Sequence, residues 1–237
     1  LQLIDIGDDG TIPWTDEFPA YFWKRNGYDI QEKLPHLWDV IDESSAQIRI
    51  DYYETLCDMY KENYLDVLRK FCEDNDMLLI GHLHYEEFMQ YHIATQGNFM
   101  RALESLSIVG LDRIDRNPEK IAEKYASSAA HTCGSKRVMS ETYALSGWEL
   151  TLQEMKRWVD YQYVRGVNLL VPHAFYCSIE GDRETECPPS EFYQNPYWKY
   201  FNYYSEYANR ASYILSQGTH KCHAALYYPI HSMQAIY

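Results

Sequence analysis

Two glutamates occupy comparable positions in this chain, each following a short apolar run that predicts a strand. Glu141 directly follows the run at 137–140, and Glu17 lies in the loop after the run at 3–6. In a parallel barrel the carboxyl ends of successive strands converge on one mouth, so residues distant in sequence meet there. Two carboxylates facing each other across such a mouth can cleave a glycosidic bond. A solvated charge is the ordinary interpretation of a glutamate, and the shared position favours chemistry instead.

Each glutamate also has a structural alternative. Asp16 and Glu17 stand between Trp14 and Phe18, and apolar surroundings raise the pKa of a carboxyl group, as a general acid needs near neutral pH. Glu17 would then be the acid and Asp16 a substrate contact, unless the pair only caps or closes the loop before the next helix. Glu141 could be the nucleophile, the base that activates water, or a partner in a salt bridge with a neighbouring Arg or Lys.

The segment that most resembles a metal site is Gly81-His82-Leu83-His84-Tyr85-Glu86-Glu87. A His-x-His pair at a strand end places two imidazoles on one face, and a following glutamate could complete a zinc site. The same histidines, with Glu87, could instead hydrogen-bond substrate hydroxyls or hold the loop. A lone His-x-His pair is a weak signal, so we expect no metal here and favour substrate contact or loop structure.

Aromatic residues accompany the later strand ends. His173 ends the run at 166–173, with Tyr176 close behind as a stacking face, and Trp148 follows Glu141 by seven residues. Tyr and Trp bury large faces while keeping a polar group, which suits the faces of sugar rings. These three residues are candidate substrate contacts. Core packing, with the histidine satisfied by the backbone, is the alternative.

The sequence predicts that alternating strands and helices position these candidate residues. Continuous apolar runs flanked by turn residues predict strands buried on both faces. We predict strands at 3–6, 77–82, 107–111, 137–140, 166–173 and 224–228. The helical patterns cover 48–73, the stretch after a capping box at Thr151 and Glu154, and 196–218. This alternation predicts an α/β fold with a parallel sheet and right-handed crossovers.

Composition and net charge limit the kinds of partner that the protein can bind. The 237 residues carry 35 acidic and 21 basic side chains, a net charge of −14, which disfavours nucleic acid and an anionic membrane surface. No apolar run is long enough to span a bilayer. Aromatic residues make up 16% of the chain, enough for a stacking surface besides the core. The chain begins at Leu1 and falls at the short end for a complete eight-stranded barrel, so we expect a segment of a longer protein.

Together these segments resemble the catalytic barrel of the α-L-rhamnosidase-like glycoside hydrolases, the group around glycoside hydrolase family 106. The resemblance covers nearly the whole chain. It rests on Thr15-Asp16-Glu17, Arg49-Ile50-Asp51-Tyr52-Tyr53, Gly81-His82 with Glu86-Glu87, Ser127-Ser128-Ala129, Ser140-Glu141-Thr142, Gly147-Trp148, Gly166-Val167-Asn168 with Pro172-His173, and Pro188-Pro189-Ser190. Each motif alone is loose, and their order and spacing together are fairly specific.

The resemblance implies a (β/α)8 TIM-like barrel, of which this chain would hold the C-terminal portion, about strands four to eight. Glu17 would follow strand four and Glu141 strand seven. Residues 1–222 would form the partial barrel, and 223–237 would begin a following domain or add a strand. Some relatives use calcium to hold sugar hydroxyls, and relatives are usually exported by bacteria, so we expect a secreted or periplasmic protein.

A partial barrel leaves two open sheet edges, and such edges favour pairing with another chain, for which a homodimer is the simplest candidate. The leading hypothesis is a glycoside hydrolase acting on a terminal sugar, with a carbohydrate as its substrate and no required cofactor. One alternative is a metal-dependent hydrolase that uses His82, His84 and His173. The other is a non-catalytic carbohydrate-binding remnant of a barrel.

Overall fold

A computed structural model describes residues 11–114 and 121–237. The chain divides into two groups by contact density. Of the described residues, the first group comprises 11–77, 84–105 and 222–237, and the second comprises 78–83, 106–114 and 121–221. The predicted strand at 3–6 lies outside the described residues. Among the residues that are described, no helix is both long and apolar enough to cross a membrane.

The first group is helical. It contains α1 (Phe18–Asn26), α2 (Ser45–Tyr60), α3 (Asp66–Asp74), α4 (Met89–Gln96), α5 (Phe99–Leu103) and α9 (Ile230–Ile236), with a π turn at Lys61–Leu65 joining α2 to α3. The helix predicted at 48–73 is therefore three consecutive helical pieces. Burying an apolar face is the main reason such helices are stable. Their shared core consists of Phe18, Phe22, Ile30, Ile48, Tyr52, Tyr53, Leu56, Ile93 and Ile230.

The second group contains a parallel sheet of four strands in the order β1-β2-β3-β4. The strands are β1 (Ile80–Gly81), β2 (Ile108–Arg113), β3 (Val138–Thr142) and β4 (Leu169–Pro172). Helix α6 (Ala122–Cys133) lies between β2 and β3 in the chain, and α7 (Leu152–Tyr163) lies between β3 and β4. Helix α8 (Phe201–Leu215) follows β4. The α/β class and four of the predicted strands are confirmed, and a parallel sheet with crossover helices is consistent with part of a barrel.

Local sequence explains why these elements form where they do. Thr151 and Glu154 make a reciprocal capping box that starts α7, as the sequence predicted. At Gly110, in the middle of β2, a Cβ atom would lie 2.3 Å from the carbonyl oxygen of Gly81. Only glycine lets β1 approach β2 this closely.

The C-terminal stretch differs from the prediction. Residues 224–228 form no strand, and helix α9 begins shortly after them. Leu226 and Tyr227 are 94% and 74% exposed, whereas a buried strand would need both faces covered. The apolar run alone could not distinguish a strand from an exposed irregular segment. The boundary of a following domain at residue 223 remains a prediction.

Candidate active site

The carboxyl ends of the four parallel strands carry polar side chains. Glu141 on β3 is in register with Asp112 on β2 and with Val171 on β4. His82 directly follows β1, and His173 directly follows β4. Because all four strands are parallel, these residues share one edge of the sheet, which is where barrel enzymes place their catalytic groups.

Two of the predicted site residues are in direct contact. His82 Nε2 lies 3.0 Å from Oε2 of Glu141. Their side chains are 30% and 28% exposed, respectively. Each is therefore held by its partner while remaining open to solvent. The partner observed for Glu141 is therefore a histidine, where the structural alternative expected an Arg or a Lys.

The contact of the other ring nitrogen of His82 determines how many protons His82 and Glu141 hold between them. His82 Nδ1 lies 3.0 Å from the carbonyl oxygen of Leu83, and a carbonyl oxygen can only accept. Nδ1 therefore carries a hydrogen. The contact between Nε2 and Glu141 then needs one further proton, either on the imidazole or on the carboxyl group. The pair can give that proton to a bound group or take it back, which is the requirement for general acid–base chemistry.

The remaining candidates of the second group lie around the end of β4. The backbone N–H of His173 donates to the Thr142 carbonyl oxygen at 2.8 Å, and its ring is perpendicular to that of Tyr176 at 6.1 Å. The hydroxyl of Tyr176 donates to carbonyl oxygens of its own loop, at residues 186 and 187. Trp148 is half-buried, and its indole nitrogen donates to the Glu184 carbonyl oxygen at 2.8 Å. These contacts fix the aromatic rings near the strand ends.

Asp16 and Glu17 belong to the first group. Both are exposed, and Glu17 is the residue before α1, where its side chain makes no capping hydrogen bond. The aromatic enclosure expected for this carboxyl group is not found, because Trp14 packs on Phe18 at 5.0 Å without covering Glu17. The pairing of Glu17 with Glu141 stays a prediction.

The remaining candidates of the first group are His84 and Glu87. His84 is exposed, with its ring 4.0 Å from that of Tyr85, and Glu87 is half-buried. Within residues 11–114 and 121–237, no three His, Cys, Asp or Glu side chains are grouped so that they could hold a metal ion. The use of calcium, which the family resemblance allows, stays a prediction for this chain.

Two other charged residues near the strands, Arg113 and Glu191, are buried. Arg113 on β2 is buried and paired with Glu123 of α6 at 2.7 Å, so this is a structural ion pair. Glu191, in the loop after β4, is fully buried and was not predicted to matter. Its neighbours in sequence, Pro188-Pro189-Ser190, indicate an exposed turn. No local pattern revealed that this carboxyl group is enclosed.

Comparisons with known proteins identify the family of this chain. The family model for alpha-L-rhamnosidase, glycoside hydrolase family 106, matches residues 2–235. A protein of Formosa agariphila named "Putative beta-glucuronidase" is 24% identical over 224 residues, which is 91% of this chain and 19% of that protein. The solved rhamnosidase from Novosphingobium sp. PP1Y superposes with a TM-score of 0.67 at 20% identity, covering 89% of this chain and 21% of that one.

Each of these two relatives is much longer than this chain, which spans about a fifth of their length. The structural likeness, at this level of identity, shows a shared fold. The family model covers nearly the whole sequence and includes both glutamates. The chain belongs to the alpha-L-rhamnosidase family, glycoside hydrolase family 106.

Proposed function

We propose that this chain forms part of the active site of a glycoside hydrolase that removes a terminal sugar, with rhamnosides as the expected substrate class. The observation that carries the proposal is the contact between His82 and Glu141 at the carboxyl end of the parallel sheet. Family membership supports the class of reaction. In this proposal β1 to β4 correspond to strands five to eight of a (β/α)8 barrel.

Glu141 is the central residue of the proposed mechanism. Its carboxyl group is partly exposed and shares a proton with His82, so it can act on a substrate and return to its starting state. Glu17 is the proposed second carboxylate, which would protonate the leaving oxygen. The distance between the two carboxyl groups would set the stereochemistry, about 5 to 5.5 Å for retention and about 6.5 to 9.5 Å for inversion.

The substrate would lie against the aromatic residues that follow the strands. Trp148 and Tyr176 are held by hydrogen bonds to backbone carbonyls, so their rings are fixed before a sugar binds. Preorganised aromatic faces lower the entropic cost of binding. His173, Asp16, His84 and Glu87 are the further proposed contacts to sugar hydroxyls.

A panel of aryl glycosides tests the proposed substrate class. The protein is incubated with 4-nitrophenyl derivatives of L-rhamnose, D-glucuronic acid and other common sugars, and release of nitrophenolate is followed. We expect the α-L-rhamnoside to be cleaved fastest. Binding of L-rhamnose, measured by calorimetry, without turnover of any glycoside would favour the non-catalytic alternative. Activity that a chelator abolishes and added zinc restores would favour the metal-dependent one.

A further inference from the structure

Glu191 is a buried carboxyl group. It lies in the segment of residues 173–197 that follows β4, here called the β4 loop, and it is 0% exposed. Neither of its carboxylate oxygens has a hydrogen-bond partner among the residues that the structure describes. A charged carboxylate in such a place would cost several kcal/mol or more, because nothing replaces its hydration.

Four tyrosines interact electrostatically with this carboxyl group: Tyr143 after β3, Tyr176 and Tyr197 in the β4 loop, and Tyr204 on α8. A charge on Glu191 would raise the pKa of each. All four pKa values are raised chiefly by burial, so these hydroxyls stay uncharged near neutral pH. Burial likewise raises the pKa of Glu191 to about 9.

The backbone at Glu191 joins the later part of the β4 loop to its first residues. Its N–H donates to the carbonyl oxygen of Ala174 at 2.9 Å, two residues beyond the end of β4. A second tie joins the loop to the residues after β3, because the N–H of Gly147 donates to the Pro188 carbonyl oxygen at 3.1 Å. A carboxylate at position 191 could reach water only if this part of the loop moved away from the strands.

We propose that Glu191 is a proton-dependent anchor of the β4 loop. As an uncharged carboxylic acid its side chain stays buried and the loop stays closed, and loss of its proton releases the loop. The loop carries His173 and Tyr176, so the anchor would control two proposed substrate contacts. The inference does not rest on the proposed function, because its test measures loop opening and stability without any substrate.

The direction of the pH effect follows from proton linkage. In the open or unfolded state Glu191 ionises near its ordinary pKa of 4.5, and in the closed state near 9. Opening of the β4 loop therefore releases a proton at any pH between 4.5 and about 9. The stability contributed by the uncharged form is complete below pH 4.5 and is lost as the pH rises towards 9, so the opening constant increases by up to about tenfold per pH unit.

The test compares the protein with Glu191→Gln, an uncharged isostere, and with Glu184→Gln, an exposed glutamate of the same loop, as the matched control. Hydrogen exchange of peptides from the β4 loop and urea unfolding are measured from pH 5 to 9, with exchange rates corrected for intrinsic pH dependence. We expect protection to fall with rising pH in the parent protein and in Glu184→Gln. In Glu191→Gln this pH dependence should be absent.

Identical pH dependence of the parent and Glu191→Gln would overturn the proposal, since Glu191 would then be ionised or hydrated in the closed state. If the amide group of Gln prevents folding, Glu191→Met serves as the second variant. An apolar side chain of similar size at this position should also remove the pH dependence, because a buried polar group without partners contributes no hydrogen bond that must be replaced.

Discussion

At the residue scale, His82 and Glu141 are 59 positions apart in sequence and meet only because β1 to β3 assemble side by side. Each residue was predicted from its position after an apolar run, and their mutual contact was not. The two ring nitrogens of His82 contact the Leu83 carbonyl oxygen and Glu141. The role of His82 as a substrate contact stays a prediction.

His92 is a fully buried residue of the first group. Its Nε2–H donates to the Glu86 carbonyl oxygen at 2.8 Å, Nδ1 accepts from the Tyr228 hydroxyl at 2.9 Å, and its ring stacks on Phe99 at 4.2 Å. Burial lowers the pKa of His92 to about 4. The imidazole is thus neutral in the folded protein, with its tautomer fixed by two partners of opposite type.

His92 should make the first group sensitive to acid. The unfolded chain binds a proton at His92 near pH 6.5, and the folded protein only near pH 4. Stability is therefore lost as the pH falls through this interval, by about 1.4 kcal/mol per pH unit. Urea unfolding of His92→Gln between pH 7 and 4 should show a shallower decline than the parent. The exposed His223→Gln is the control, and an equally steep decline in His92→Gln would contradict the assignment.

At the element scale, the strands were predicted better than the segments between them. The runs at 107–111 and 137–140 overlap β2 and β3, each of which starts one residue later and ends two residues later, because strands buried on both faces leave a continuous apolar signal. The run at 224–228 has the same composition but no sheet position, and tertiary context decided its conformation. Likewise, the burial of Glu191 depends on how the β4 loop folds back, which no local pattern encodes.

The spacing of β1 from β2 should depend on Gly110. Replacing it with alanine places a Cβ atom 2.3 Å from the Gly81 carbonyl oxygen and 2.6 Å from the Met139 side chain. We expect Gly110→Ala to destabilise the protein by about 1 to 3 kcal/mol, the usual cost of overpacking. Gly81→Ala is the matched control, since its Cβ would meet no atom within 4 Å. Thermal melting measures both, and equal melting temperatures for the two variants would show that the close approach is not required.

At the scale of the whole molecule, family membership could be recognised from ordered motifs although identity to the two reported relatives is only 20–24%. The motifs that carried the resemblance, such as Ser140-Glu141-Thr142, lie where a strand ends and the backbone must present a side chain. Such positions depend on the fold itself, so they can be predicted from strand pattern. The placement of Glu17 could not be predicted in this way, because it follows a long loop.

The sheet also bears on the proposed homodimer. The order β1-β2-β3-β4 leaves β1 and β4 each with one neighbour among the described strands. Open edges of this kind favour pairing with a further strand. That strand could come from a second copy or from elsewhere in a longer polypeptide, and the homodimer remains a prediction, as does export from the cell.

The proposed function depends most on Glu141, and turnover of the best aryl glycoside by Glu141→Gln tests that role directly. The amide keeps the size of the side chain and its contact with His82 but cannot take up or release the proton. We predict that kcat/KM falls by at least about 100-fold, while the circular dichroism spectrum and melting temperature stay close to those of the parent. The exposed Glu180→Gln should retain full activity. A folded Glu141→Gln variant that hydrolyses the substrate at the parent rate would contradict the account.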